Sequence, residues 1–437
     1  MKTPELLGRR LECPCGRTHH ITPDELLFAP GAVRQVAAVA ARHAAVGQAA
    51  VVFDARTAEV AGRDAVEVLA GEGWQVAEVL LDDRPGGGNP VTDPPTGKDV
   101  RLRCAGADLI VAVGSGVVSD LGKWAAFELG IPAVTFGTAA SMNGYAAANV
   151  AGKVEGVKAL IRARPPAAVI SDPDILAAAP AEMTASGLGD VLAKSVSSAD
   201  WRLNHLLFGD YYCPRSVSLI AEIEPLYLEN PQGVAAGERS AMEGLFDALM
   251  LTGMAMTMAE TSDPASGGEH LISHTLDMRA DATGEPHDLH GRQVGVATIL
   301  CSELYRRVLA VESPAFAVPD EPVDRVWWGP LAGEVASKFA EKGPRIEAAA
   351  GKLAEANAWD DLRAELAAMV RPPEVIADCL ARAGAACRAE HLGISRQQLL
   401  AAFTHARQMR GRFTILDLAA MLGLMPAAAE GIVAEWG

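Results

Sequence analysis

The 437-residue chain has no long apolar run, few cysteines and too few basic side chains to balance its acids. Each shortage narrows what it can do. Its most apolar helical run, "LFDALMLTGMAMTM" from Leu245 to Met258, is too short to span a bilayer and has Asp247 inside it. A buried core helix is the expectation there, with no membrane insertion. The first residues, "MKTPELLGRRLECPCG", lack the apolar centre of a signal peptide. Seven scattered cysteines, an odd number, do not make a disulfide framework, so a reducing cytoplasm is the simple expectation. Against 55 acidic residues stand 38 basic ones, giving a formal net charge of -17 spread along the chain. Such a surface repels a phosphate backbone and argues against nucleic acid as a partner. A small anionic substrate needs only a few cations gathered locally.

What is present begins with length, which exceeds what one hydrophobic core usually serves and points to two domains. Half of the residues are apolar, and the abundance of alanine among them favours helix. The first part alternates. "QAAVVFD", "QVAEVLLDD", "ADLIVAVGSG", "IPAVTFGTAAS" and "AAVISD" have strand length, and helical stretches such as "AGRDAVEVLAGEGW" and "VVSDLGKWAAFELG" lie between them. "RPGGGNPVTDPPTG" marks a loop. Near-continuous apolar strands imply burial on both faces, and strand–helix alternation implies a doubly wound parallel sheet. Beyond about Pro180 the strand signal vanishes and helical spacing takes over. The expected organisation is an α/β dinucleotide-binding domain over 1–177 and an all-α metal- and substrate-binding domain over 178–437, without internal repeats.

"VAVGSGVVSDLGK" sets Gly114, Ser115 and Gly116 between a buried strand and a helix. Glycines there let backbone N–H groups approach a pyrophosphate at the positive end of the helix. An ordinary tight turn explains the spacing equally well, because the full G-x-G-x-x-G fingerprint is missing. Asp54, closing the first strand, stands where an acid binds a ribose diol, or where it caps the next helix. Arg56 would instead accept a 2′-phosphate, which leaves NAD and NADP both open.

Four of the ten histidines fall in "GGEHLISHTLDMRADATGEPHDLHG". His270 and His274 are four apart and share a helix face, while His290 opens the next helix. Asp190 in "SGLGDVLAK" offers a carboxylate, with Lys194 one turn later. Three protein ligands leave a coordination position open, the mark of a catalytic metal. Singly, each residue also fits a helix cap or a carbonyl contact. Their clustering favours a ligand site without saying which histidines bind. "CPCGRTHH", with Cys13, Cys15, His19 and His20, lacks the C-x₂₋₄-C spacing of a zinc knuckle and a second cysteine pair, so a surface strand is expected. "KVEGVKALIRARPP" gathers Lys153, Lys158, Arg162 and Arg164, either to hold a substrate phosphate or as a solvated helix face.

Taken together and in order, "GSGVVSDLGK", "GTAASMNGYAA", "SGLGDVLAK", "PASGGEHLISH" and "LHGRQVGVATIL" resemble the sn-glycerol-1-phosphate dehydrogenase family. That family belongs to the iron-containing alcohol dehydrogenase and dehydroquinate synthase superfamily. The likeness runs from "CGRTHH" to "RGRFTILDLAAMLG". It implies a Rossmann-like N-terminal domain, a helical C-terminal domain, NAD or NADP, and one divalent metal (zinc, nickel or iron). It further implies Asp190, His270 and His290 as metal ligands and His274 as a catalytic residue, either supporting the ligands from behind or on the substrate side, with His287 near the site but without a role. Gly114, Ser115 and Gly116 fall at the pyrophosphate, Asp54 at the adenine ribose, and Asp120, Thr135, Thr138 and Ser141 on the cofactor side.

One departure stands out. The family pattern "S-x-D-G" carries an acid where this chain has Asn143, a place the resemblance sets close to the substrate hydroxyls. An amide keeps hydrogen bonding but cannot take a proton. The implied activity is interconversion of dihydroxyacetone phosphate and sn-glycerol-1-phosphate, in phospholipid metabolism, by a homo-oligomer of two or more chains. Alternatives are the same scaffold acting on another hydroxy or keto phosphate or phosphonate, or on a polyol, and a dehydroquinate-synthase-like cyclase. Cyclases of this fold have glutamate at the first ligand position, so Asp190 counts against them. A nucleotide-binding protein without catalysis has Asn143 as its only motive.

Overall fold

The computed structural model describes residues 3–84, 88–154, 157–285 and 287–437. Residues 85–87 of the glycine-rich loop, 155–156 of the basic segment and Pro286 of "TGEP" lie outside them. The chain forms two compact units, Met1–Gly187 with Ser218–Glu260, and Leu188–Val217 with Thr261–Gly437.

In the first unit the apolar runs become a six-stranded sheet. Its strands are β3 (Glu25–Phe28), β4 (Gln48–Asp54), β5 (Gln75–Leu81), β6 (Leu109–Val113), β7 (Ala133–Gly137) and β10 (Ala168–Ser171). They lie in the order β3-β10-β7-β6-β4-β5, and every pairing is parallel. Alternate residues feed opposite layers. Val51, Phe53, Val111, Val113, Phe136 and Ile170 pack on one face with helices Val36–His43 and Arg63–Gly71. Ala50, Val52 and Ile110 meet Leu121 and Trp124 of helix Val117–Leu129 on the other. Burial on both faces explains the unbroken apolar strands, and each buried Val or Leu adds roughly 1.5–3 kcal/mol.

Two short antiparallel pairs accompany the sheet. One is β1 (Arg10–Glu12) with β2 (Thr18–His20), the other β8 (Asn149–Val154) with β9 (Val157–Arg162). The second pair replaces the helix face considered for the basic segment. Its apolar residues recur with period two, so that Val150 is buried and Ile161 packs against the same core face. Strand β3 was not evident in the sequence pattern, because four half-buried residues at a sheet edge carry too little periodicity.

Residues 218–260 return to the sheet unit, so the two units are not separated by a single cut near residue 177. Helix Arg239–Ala259, which contains the long apolar run, packs on the turn Gly144–Ala146 and on helix Pro173–Ala178. Phe246 stacks 5.4 Å from Phe28 and lies 5.8 Å from Tyr145, and Asp247 accepts the N–H of Thr3 at 3.0 Å. Among the described residues no helix is long and apolar enough to cross a membrane.

The second unit is helical, with no strand among its described residues. Helices Gly268–Thr283 and His290–Leu309 pack along one another at its centre. Elsewhere in the unit, Lys342 and Arg407 converge on Asp417 at 3.0 and 3.3 Å, so that buried charges meet as a compensated cluster.

Candidate dinucleotide loop and metal centre

Strands β4 and β6 are neighbours although β5 intervenes in the sequence. The chain leaves β4 toward one sheet edge and β6 toward the other, and ligands of open α/β sheets bind beyond the carboxyl ends of strands at such a switch point. Here β6 delivers Gly114, Ser115 and Gly116, and β4 delivers Asp54. Gly116 adopts φ 50°, ψ −112°, which a side chain would strain, and this lets the chain turn directly into helix Val117–Leu129.

The loop after β7 folds back onto this turn. The hydroxyls of Ser115 and Ser141 are hydrogen-bonded. Buried Thr138 follows β7 directly. Tyr145 donates to the carbonyl of Ala139 at 2.7 Å, Lys123 to that of Gly144 at 2.8 Å, Ser186 to that of Ser141 at 3.2 Å and Thr257 to that of Ala146 at 2.9 Å. Asn143 is half-buried at the head of the turn Gly144–Ala146.

Other residues expected on the cofactor side have structural work. Asp120 pairs with Lys123 at 3.1 Å and accepts the N–H of Ala151 at 3.1 Å; burial raises its pKa against the pull of Lys123. Thr135 is buried inside β7, in register with Ala112 and Val169. Asp54 accepts the N–H groups of Arg56 and Thr57 at 3.0 and 2.8 Å as a capping box. Its second oxygen holds the Arg56 guanidinium at 2.8 Å, and Arg56 also reaches Asp83 at 2.7 Å.

In the helical unit Asp190 stands in the last turn of helix Ala181–Leu192, and Lys194 begins helix Lys194–Phe208. The Lys194 ammonium lies 3.1 Å from the Asp190 carboxylate and donates to the carbonyl of Ala265 at 3.0 Å. Gly189 has no Cβ for a plain reason: one would sit 2.0 Å from the carbonyl oxygen of Gly291. That close approach sets Asp190 beside the first turn of the helix headed by His290.

The His270 Nε2 is 3.6 Å from the Asp190 Oδ1. Ring centroids are 5.1 Å apart for His270–His290, 5.2 Å for His274–His290 and 5.9 Å for His270–His274. Burial alone would raise the Asp190 pKa, but Lys194 and the imidazoles of His270 and His290 overcome it and hold the carboxyl below its ordinary range. The structure thus gathers Asp190, His270, His274 and His290. His287 lies apart in the loop, 3.3 Å from Asp277, whose hydrogen bond raises the pKa of the imidazole.

A further layer fixes the rings. The Glu269 carboxylate is 2.7 Å from the His270 Nδ1 and accepts the N–H of Gly267 at 2.8 Å. Ser273 is 3.1 Å from the His290 Nδ1 and donates its own hydrogen to the Gln293 side-chain oxygen at 2.9 Å. Neither partner has a proton to give, so each Nδ1 carries a hydrogen, and a bound cation would take the lone pair of each Nε2. Ligand atoms on one tetrahedral ion lie roughly 3.4 Å apart, near the observed Asp190–His270 spacing. One ionised carboxylate and two imidazoles so oriented fit a divalent cation, and suit zinc, nickel or ferrous iron alike.

Glu269, Ser273, Gln293 and Asp200 escaped the sequence reading. Asp200 is buried and accepts the N–H of Gly268 at 2.7 Å, the Tyr305 hydroxyl at 2.6 Å and the N–H of Ile415 at 2.8 Å, which anchors the helix bearing His270. Burial first, then the charge of Glu269, push its pKa up to about 7. An acid directly before His270 was a legible signal for Glu269. Nothing in the spacing links Ser273 or Asp200 to the site.

Comparison with known proteins bears on both units. Residues 27–180 match the family model of the iron-containing alcohol dehydrogenases. A glycerol-1-phosphate dehydrogenase [NAD(P)+] of Bacillus licheniformis is 31% identical over 339 residues, covering 75% of this chain and 84% of that protein. The enzyme so named in Thermococcus kodakarensis is 34% identical, covering 65% of this chain and 78% of its own. Among solved structures, glycerol dehydrogenase from Schizosaccharomyces pombe superposes with TM-score 0.62 at 15% identity, covering 95% of this chain and 92% of that one. A 1,3-propanediol oxidoreductase gives 0.60 at 18% identity, over 93% and 98%. At these identities the structural likeness speaks for the fold, a Rossmann-like sheet followed by helices.

Proposed function

Because the chain belongs to the glycerol-1-phosphate dehydrogenase family, we propose that it interconverts dihydroxyacetone phosphate and sn-glycerol-1-phosphate by hydride transfer with NAD(P). It is an NAD(P)-dependent, metal-containing alcohol dehydrogenase. The observation that carries the proposal is the meeting of buried Asp190 and His270 with half-buried His290, with Glu269 and Ser273 each holding an Nδ1. A divalent cation held there supplies Lewis-acid polarisation of the substrate oxygen, and the nicotinamide supplies or takes the hydride.

The protein's own part is orientation and charge balance. Asp190, His270 and His290 hold the cation, Lys194 offsets the carboxylate, and His274 faces the same cluster as a substrate-side group. Gly114, Ser115 and Gly116 take the pyrophosphate, with Thr138 and Ser141 beside them. The β8–β9 hairpin, where Lys153 stands opposite Lys158, offers countercharge for the substrate phosphate. Asn143 leaves hydrogen bonding but no proton acceptor at the substrate end. A homo-oligomer in the cytoplasm belongs to the same proposal, and sedimentation of the purified protein tests the assembly.

The deciding experiment pairs elemental analysis with nicotinamide absorbance. Metal-loaded protein is expected to oxidise NADH or NADPH with dihydroxyacetone phosphate and to produce sn-glycerol-1-phosphate. Turnover only with another keto compound would reassign the substrate. Activity that appears only in Asn143→Asp would show that the native chain does not perform this reaction.

A further inference from the structure

The motif "CPCGRTHH" has no part in the site above, and its geometry differs from a plain surface strand. Strands β1 and β2 pair Leu11 with His19, and the connecting turn is closed by the N–H of Cys13 on Arg17 at 3.1 Å and of Gly16 on Cys13 at 3.0 Å. That turn brings Cys13 and Cys15 to one end of the hairpin, where His19 meets them. His19 is 4% exposed, and its Nε2 lies 3.2 Å from the Cys15 Sγ. The ligand atoms of Cys13, Cys15 and His19 all lie within 4.8 Å of one another, and none of these cysteines is in a disulfide.

We propose that this hairpin is a second metal site, in which the Cys13 and Cys15 thiolates and the His19 imidazole bind a zinc-type ion. Sulfur–nitrogen and sulfur–sulfur separations on a tetrahedral zinc ion are roughly 3.5–3.8 Å, within the reach these side chains already have. Two thiolates and a neutral imidazole select a borderline-soft cation and balance its charge, while magnesium and calcium prefer oxygen. A two-stranded sheet of three residues a side is marginal by itself, and ion binding there contributes directly to its folding. A tetrahedral ion takes one donor beyond these three. The spacing C-x-C-x₃-H falls outside the usual knuckle pattern, and only the hairpin register brings His19 across to the cysteines.

The two sites differ in donor chemistry, which gives a clean test on the full-length protein. Loading with cobalt(II) in place of the native metal is expected to produce an intense thiolate-to-cobalt charge-transfer band in the near ultraviolet. An aspartate with two histidines cannot produce that band. Cys13→Ser with Cys15→Ser should abolish it and lower the metal content by about one ion per chain, whereas His290→Ala should keep it. Should the serine variant fail to fold, mercurial titration of the wild-type thiols under a chromogenic chelator reads the same ion. Release of one ion as the thiols react supports the site. Absence of the band in cobalt-loaded wild type, or reaction of Cys13 and Cys15 with no metal release, overturns it.

Discussion

The sheet unit and the helical unit hold their chemistry by opposite means. Beyond β6 the proposed working atoms belong to the backbone of Gly114, Ser115 and Gly116, and the carboxylates around them are already engaged: Asp54 by its cap and Arg56, Asp120 by Lys123. In the helical unit the proposed working atoms are side chains drawn from three helices, Asp190 and His270 buried and His290 half-buried, each aimed by another side chain. A site built from backbone depends on what is missing, namely a Cβ. One built from side chains depends on a chain of contacts and weakens link by link. The two should therefore answer differently to substitution.

The largest effect is expected from His290→Ala, which removes a donor outright. Turnover should fall by roughly a thousandfold or more with loss of bound metal, while NAD(P)H affinity in a fluorescence titration stays near wild type. If metal content and turnover both survive, the side-chain site is wrongly assigned. Glu269→Ala comes next. It leaves every proposed ligand in place but frees the His270 ring, so metal affinity should drop roughly 10–100-fold in a chelator competition. Glu269→Gln keeps an acceptor for the Nδ1 hydrogen and should recover part of that loss. No recovery would mean that Glu269 acts through packing alone.

Gly116→Val addresses the other unit. Forcing a β-branched residue to a positive φ strains the turn, and NAD(P)H binding should weaken about tenfold with metal content unchanged. Equal damage to metal binding would erase the contrast between the units.

The smallest effect is a pH slope at Asp200, whose pKa rises from 3.8 to about 7 on folding. Below its unfolded pKa both states are protonated and the group is neutral in its effect. As pH climbs toward the folded value the unfolded state loses the proton first, so stability falls across that window and levels off above it. Denaturation midpoints from about pH 5 to about pH 8 should decline in wild type and decline less in Asp200→Asn, whatever the absolute stability of the variant. Identical slopes would show that Asp200 is ionised throughout.

The two regions were also unequally legible. Strand β4 was readable residue for residue, because burial on both faces leaves an unbroken apolar run that few other structures produce. Edge strand β3 and hairpin β8–β9 were not, since half-buried segments write a weaker period. His270 and His274 were visible as a pair on one helix face, and Asp190 only as an acid among glycines. Glu269 lay in plain view beside His270, but its task depends on which ring nitrogen it touches.

The linear order of residues determined which segments form strands, which form helices, where the glycine turn falls and which residue types are available to a cation. Those are local matters, governed by periodicity, backbone freedom and side-chain chemistry over a few residues. Tertiary structure decided the rest. It made β4 and β6 neighbours across an intervening strand, returned residues 218–260 to the sheet, brought Gly189 against Gly291 so that Asp190 meets His290, and carried His19 to Cys13 and Cys15. Each of these joins residues whose separation along the chain says nothing of their separation in space, because packing and strand register, not local preference, fix the distance.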